Sequence, residues 1–217
     1  MPRIIVFLGP SLDQESAERI LPAEYRPPAK RGDILAAAGD GADIIGLIDG
    51  VFHQDSAVAH REILVAVRKG VVVVGASSMG ALRAAEMDTL GMTGIGKIYR
   101  LYKDGILNSD DEVALVFDPE SGYSLSEPLI NIRCTLKKAE SAGIITAAEH
   151  EALLAAARSV FYPQRTYPKI VAVAGDSVEP ATGERFLTFA RESPADQKKD
   201  DAIAALEYIR SIIPNYS

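Results

Sequence analysis

Ser77 and Ser78 stand between a run of valines and a run of helix formers, in VVVVGASSMGALRAAEM (71–87). A hydroxyl at such a junction has three chemistries open to it. It can cap the helix by accepting from an N–H of the first turn. It can lie beside an anion held on unpaired N–H groups at the positive end of the helix dipole. Or it can be a nucleophile. Ala76-Ser77-Ser78-Met79-Gly80 has the small-x-Ser-x-Gly spacing of a nucleophile elbow, with Ala in place of the first Gly. Small residues two before and two after Ser78 let the chain turn sharply and expose Oγ. The Met79 and Gly80 N–H groups are expected to be unpaired there, with Met79 N–H as an oxyanion donor. Spacing alone favours the cap over the anion site, and both over the elbow.

Other residues of the right type surround this turn in the sequence. Asp49 closes the apolar run DIIGLI (43–48), where α/β folds place ligands; its Asp-Gly pair also reads as a plain turn. His53 and His60, two of the three histidines, fall between Asp49 and Ser78. Glu62 is two residues from His60, so the two cannot share a helix face. Arg83 and Glu86 are three apart and can pair on the Ser78 helix. Asp110-Asp111-Glu112 could hold a metal, but no second ligand cluster accompanies it, and such a run more often is solvated, caps a helix or pairs with basic side chains.

Elements must place these groups. Arg3–Leu8, Asp43–Ile48 and Val71–Gly75 read as short buried strands, each apolar on both faces. Gly9-Pro10-Ser11 closes the first as a turn, with Ser11 as turn chemistry. Pro22 and Pro27-Pro28 read as an extended loop, and Gly32–Ala38 as a helix ended by Gly39. A helix from Asp55 or Ser56 to Lys69 joins the second and third strands, which a right-handed crossover makes parallel. Asp49 and the two serines then share one sheet edge. Gly91–Gly96 reads as a tight loop and Val113–Phe117 as a strand. From Ser126 the pattern turns helical: Ser126-Glu127-Pro128 opens one helix to about Ser141, Thr146-x-x-Glu149 boxes another to about Phe161, and Ser193-Pro194 opens a last one to about Ile213. Residues 163–180 read as irregular, and His150 as surface. The fold class is therefore α/β, a single domain with a parallel sheet flanked by helices and a helical C-terminal part. The boundary is set at 125: an α/β core over 1–125, and a mainly helical extension over 126–217 packed on the same core.

The 217 residues suffice to bury a core. A net charge of −7 argues against nucleic acid and anionic membrane as main partners. The single Cys134 excludes an internal disulfide and a multi-Cys zinc site, and fits a cytoplasmic setting. No apolar run reaches the length of a membrane span, and the apolar start MPRIIVFLGP is short for a signal peptide. No Gly-rich phosphate loop follows the first strand, which disfavours a nucleotide-binding reading.

Asp49-Gly50-Val51-Phe52, His60-Arg61-Glu62-Ile63-Leu64, the run Ser77–Glu86, Gly91-Met92, Asp110–Ala114, Asn131-Ile132-Arg133 and the stretch Lys198…Asp201-Ala202 together resemble the TfuA-like core-domain proteins. The match is close over Asp43–Arg133 and loose elsewhere. Arg61 stands where Lys is usual. What the resemblance implies is an accessory protein for YcaO enzymes, which activate a peptide-backbone amide with ATP in thioamidation. It implies that this chain hydrolyses the C-terminal thiocarboxylate of a ThiS-like, ubiquitin-fold sulfur carrier and releases sulfide. The alternative is a docking module that binds YcaO or the carrier without chemistry. No cofactor is implied. Cys134 lies in a helical stretch with no rhodanese-type loop, so persulfide carriage does not fit.

The resemblance lifts the elbow above the cap. Ser78 is then the expected nucleophile and Met79 N–H the oxyanion donor. His60 is the first choice of base, His53 the second and Lys198 a fallback, with Asp49 orienting the base. Ser77, Gly80, Arg83, Glu62, Glu86, Asp110, Asp111 and Arg133 are the expected substrate contacts.

Overall fold

A computed structural model describes residues 2–52, 56–118 and 123–216. The fold is α/β, with a parallel sheet flanked by helices and a helical C-terminal part. The chain divides into two compact units, 1–110 with 198–217, and 111–197. The expectation put the boundary at 125; the observed cut follows Asp110, and the last helix belongs to the first unit.

The first unit runs β1 (Ile4–Phe7), α1 (Gln14–Ile20), β2 (Glu24–Arg26), α2 (Asp33–Gly39), β3 (Ile44–Leu47), α3 (His60–Arg68), β4 (Val72–Gly75), α4 (Met79–Met87), β5 (Thr93–Gly94) and α5 (Gly96–Lys103). All pairings are parallel, in the order β2-β1-β3-β4-β5. Phe7 is in register with Leu47, and Leu47 with Gly75. Two residues beyond this line lie Gly9, Asp49 and Ser77, so the carboxyl edge of three neighbouring strands collects them.

The strand side chains alternate between two apolar layers, as the pleat requires. Ile5, Phe7, Ile45, Leu47 and Val73 pack with Ile34, Ile63, Ala84 and Met87 from α2, α3 and α4. Ile4, Val6, Ile44 and Val74 pack with Ala17 of α1 and with Ala202, Leu206 and Ile209 of α10 (Gln197–Ile212). The β4–α4 junction is unusually close. A Cβ on Gly80 would lie 1.7 Å from the Leu47 carbonyl oxygen, and one on Gly75 would lie 2.2 Å from the Gly80 oxygen.

Several sequence expectations need correction in this unit. The loop around Pro22–Pro28 contains β2, and the loop over 91–96 contains β5. Strands of three and two residues at the sheet's edges leave no periodic signal. The helix α1 was not expected; Asp13 caps it, accepting from Ser16 N–H at 2.8 Å. Of the two expected starts, Asp55 lies outside the described residues, and the helix expected from Ser56 begins at His60. Its anchor is Glu62, whose buried carboxylate accepts from Ala59 N–H at 2.7 Å, and from Gly32 and Ile34 N–H at the start of α2 at 3.0 and 3.2 Å.

The second unit holds α6 (Leu129–Ser141), α7 (Ala147–Ser159), α8 (Tyr167–Ala174) and α9 (Pro180–Glu192) around Leu129, Ile132, Leu136, Leu153, Ile170 and Phe186. Thr146 and Glu149 form the expected capping box. Residues 163–180 are not irregular: they contain α8, and α9 begins at Pro180. Pro168 and Pro180 both sit in the first helical turn, where no N–H is needed. The strand expected at Val113–Phe117 is absent; only Phe117 pairs, in a single antiparallel bridge with Ser124. His150 is half-buried, with Nδ1 at 2.7 Å from Glu140.

One carboxyl group in this unit is poorly placed for charge. Burial pushes the Glu127 pKa up, and the neighbouring Asp196 adds to the shift. A carboxyl with a raised folded-state pKa contributes stability below its unfolded pKa and loses it as pH rises through the folded value. Glu127→Gln is therefore expected to raise Tm relative to wild type at pH 7 and to leave it near wild type at pH 4. Paired thermal melts at the two pH values check this; an equal shift at both would point to a cause other than ionisation.

Candidate active site

The β4–α4 turn is strained. Ser77 has φ 65, and among the described residues it is the only non-glycine with positive φ. An L-residue held there costs roughly 1–2 kcal/mol, so surrounding contacts must fix it. They do so through its side chain, which points inward. Ser77 Oγ donates to Ser11 Oγ at 2.8 Å, and Ser11 Oγ donates to Asp49 Oδ1 at 2.7 Å. Asp49 Oδ2 accepts from Gly9 N–H at 2.9 Å and Ser11 N–H at 3.1 Å. Lys198 Nζ, from α10, lies 3.9 Å from Asp49 Oδ1. All four residues are buried.

Ser78 differs from its neighbour. It occupies the N-cap position of α4 but makes no side-chain cap. Its N–H donates to Ala76 O at 2.7 Å, closing a very tight turn. Among the described residues its hydroxyl has no hydrogen-bond partner, although the residue is 2% exposed. Every fully buried side-chain oxygen and nitrogen in those residues is partnered, so Ser78 Oγ keeps contact with solvent. Met79 N–H also lacks an acceptor among the described residues. Gly80 N–H does not: it donates to Ile48 O at 3.3 Å, because the missing Cβ lets α4 settle onto β3. The expectation of two unpaired amides is thus corrected to one, at Met79.

Beside Met79 opens a cavity of about 560 Å³. Phe52, Val58, Met79 and Leu82 give it an apolar lining; Arg31, His60, Arg83, Glu86 and Asp110 give it charge. Arg83 is anchored at both ends of its fork: Nε donates to Val58 O at 2.8 Å and Nη1 to Glu86 Oε2 at 2.6 Å. The same carboxylate oxygen lies 2.7 Å from His60 Nε2. The expected Arg83–Glu86 pair is present, with His60 as its third member. Among the described residues Arg83 Nη2 has no partner.

The structure therefore splits the expected site residues into groups. Asp49 and Ser77 meet at the sheet edge, joined by Ser11 and Lys198. His60, Met79, Arg83, Glu86 and Asp110 meet around the cavity. No hydrogen bond links His60 to Ser78, and Glu86, not Asp49, contacts the His60 ring. Glu62 serves three helix-start amides. Asp111 and Arg133 lie in the second unit, paired with Arg165 at 2.6 Å and bidentately with Glu112 at 2.6 and 2.8 Å. His53 lies outside the described residues. Among the described residues no cluster of His, Cys, Asp and Glu has the makings of a metal site.

Sequence reasoning gave Ser11 only a turn role; the Gly-Pro-Ser turn after β1 was its one signal. Phe52 stands in the family motif but had no site role, and Arg31 of the cavity and Arg165 carried no sequence signal. That arginine, 1% exposed, donates from all three guanidinium nitrogens to Asp111 and to the Ala157 and Val160 carbonyls.

A family model for TfuA-like protein matches residues 49–166, more than half of the chain. The chain belongs to the TfuA-like family. The match begins at Asp49 and takes in the β4–α4 turn and the cavity wall from α3 and α4. No curated protein matches this TfuA-like chain. Among the described residues of this family member, no helix is long and apolar enough to cross a membrane.

Proposed function

We propose that this TfuA-like protein acts in YcaO-dependent backbone thioamidation by hydrolysing the thiocarboxylate of a ThiS-like sulfur carrier, releasing sulfide for the YcaO partner. The observation that carries the reading is the β4–α4 turn: an unpartnered, solvent-touching Ser78 hydroxyl beside the unpaired Met79 N–H. Ser78 Oγ attacks the thiocarboxylate carbon while the Met79 amide holds the developing oxyanion. The proton taken from Ser78 by the base passes to the departing sulfur as the C–S bond breaks, so the leaving group is hydrosulfide and not the sulfide dianion. Water then hydrolyses the Ser78 ester and frees the carrier carboxylate. His60 is the first choice of base: Glu86 fixes its ring through Nε2 and leaves Nδ1 for the proton. Lys198 is a weaker candidate, since it faces Asp49.

The cavity next to Met79 suits the carrier's C-terminal tail, with the free Nη2 of Arg83 as its polar contact. Arg83→Ala is expected to raise KM for the thiocarboxylated carrier about tenfold with little change in kcat, the pattern of lost ground-state binding. Loss of the bond to Val58 O should also cost about 1–2 kcal/mol of stability. Unchanged KM, kcat and Tm would reduce the pair with Glu86 to a surface ion pair. A docking role alone is the competing reading. It predicts carrier or YcaO binding with no sulfide release, and the sulfide assay on the isolated protein separates the two.

A further inference from the structure

We propose that Ser11 and Ser77 are positioning residues whose hydrogen-bond chain to Asp49 aims the Ser78 hydroxyl and the Met79 amide. This rests on the reading of Ser78 as the reacting hydroxyl. Ser77 is 0% exposed and its hydroxyl donates into the interior, so it cannot itself meet a carrier tail. Yet its φ of 65 is what turns the chain between β4 and α4. That conformation disfavours every residue but glycine, and no glycine is there. The compensation is the chain Ser77 Oγ–H to Ser11 Oγ–H to Asp49 Oδ1, at 2.8 and 2.7 Å. Its far end is fixed in turn: Asp49 accepts two amides of the Gly9–Ser11 turn and faces the Lys198 ammonium. The turn after β1, the end of β3 and the turn after β4 are thereby locked as one piece. The next residue, Ser78, receives its direction from this lock and shares none of its hydrogen bonds.

Ser77 thus acts through the backbone and Ser78 on the substrate. Ser77→Ala keeps the strained conformation and removes the bond that holds it. Ser77→Gly removes the same bond but relieves the strain. Sulfide release from the thiocarboxylated carrier and hydrogen exchange of the 77–82 amides are measured on the full chain of each variant. Ser77→Ala and Ser11→Ala are expected to lower kcat about 100-fold with KM within about threefold, as a mis-set reacting group does. Both should speed exchange across the turn. Ser77→Gly should recover most of the lost kcat and the slow exchange. Wild-type kcat and exchange in Ser77→Ala would overturn the proposal, and so would a Ser77→Gly protein as impaired as Ser77→Ala. The exchange contrast needs no substrate. If Ser78→Ala keeps the wild-type rate, the assignment of the reacting hydroxyl fails, while the alanine–glycine contrast in exchange still decides the role of the lock.

Discussion

Ser78→Ala is expected to fold normally and to release almost no sulfide. The hydroxyl caps nothing and bonds to nothing among the described residues, so its removal should change stability by less than about 1 kcal/mol, the usual value of a cap. Loss of a nucleophile instead lowers kcat by roughly 10⁴–10⁶. The two magnitudes are far enough apart that one melt and one rate distinguish them. A variant that melts like wild type and hydrolyses at a near wild-type rate would remove covalent catalysis and leave an activated water or a docking role.

Gly80→Ala is expected to be the most damaging small substitution in the first unit. The added Cβ would lie 1.7 Å from the Leu47 oxygen and 2.7 Å from its carbon, and both are backbone atoms in the middle of the sheet. Relief requires α4 to lift from β3, which breaks the Gly80–Ile48 bond and moves the Ser78 turn. A loss above about 4 kcal/mol is expected, read from the urea midpoint of the variant. Gly39→Ala is the control: a Cβ there meets nothing within 4 Å, and stability should stay within about 1 kcal/mol of wild type. Similar midpoints for the two variants would contradict the close-packing account.

The parts of this fold that could be read from sequence are those with strong local signals. β1, β3 and β4 are continuous apolar runs, and the crossover rule made the last two parallel, which brought Asp49 and Ser77 to one edge. The Thr146–Glu149 box and the Arg83–Glu86 pair were legible for the same reason: their spacing is their mechanism. What stayed hidden depends on tertiary partners. β2 and β5 are too short to show a period and exist only because a neighbour offers a ladder. α8 and α9 were masked by prolines that begin helices as readily as they end loops. Ser11 and Ser77 are 66 residues apart, and no spacing rule connects them. The elbow pattern pointed to the β4–α4 turn but could not show that Ser77 bonds into the Ser11–Asp49 chain while the Ser78 hydroxyl has no partner among the described residues.

Mixing the purified chain with a thiocarboxylated ThiS-like carrier, without YcaO, and following sulfide decides whether this chain is itself the hydrolase. Many turnovers per molecule of wild-type protein are expected, and only the uncatalysed rate with Ser78→Ala. Sulfide release by wild type no faster than from the carrier alone would contradict the hydrolase role.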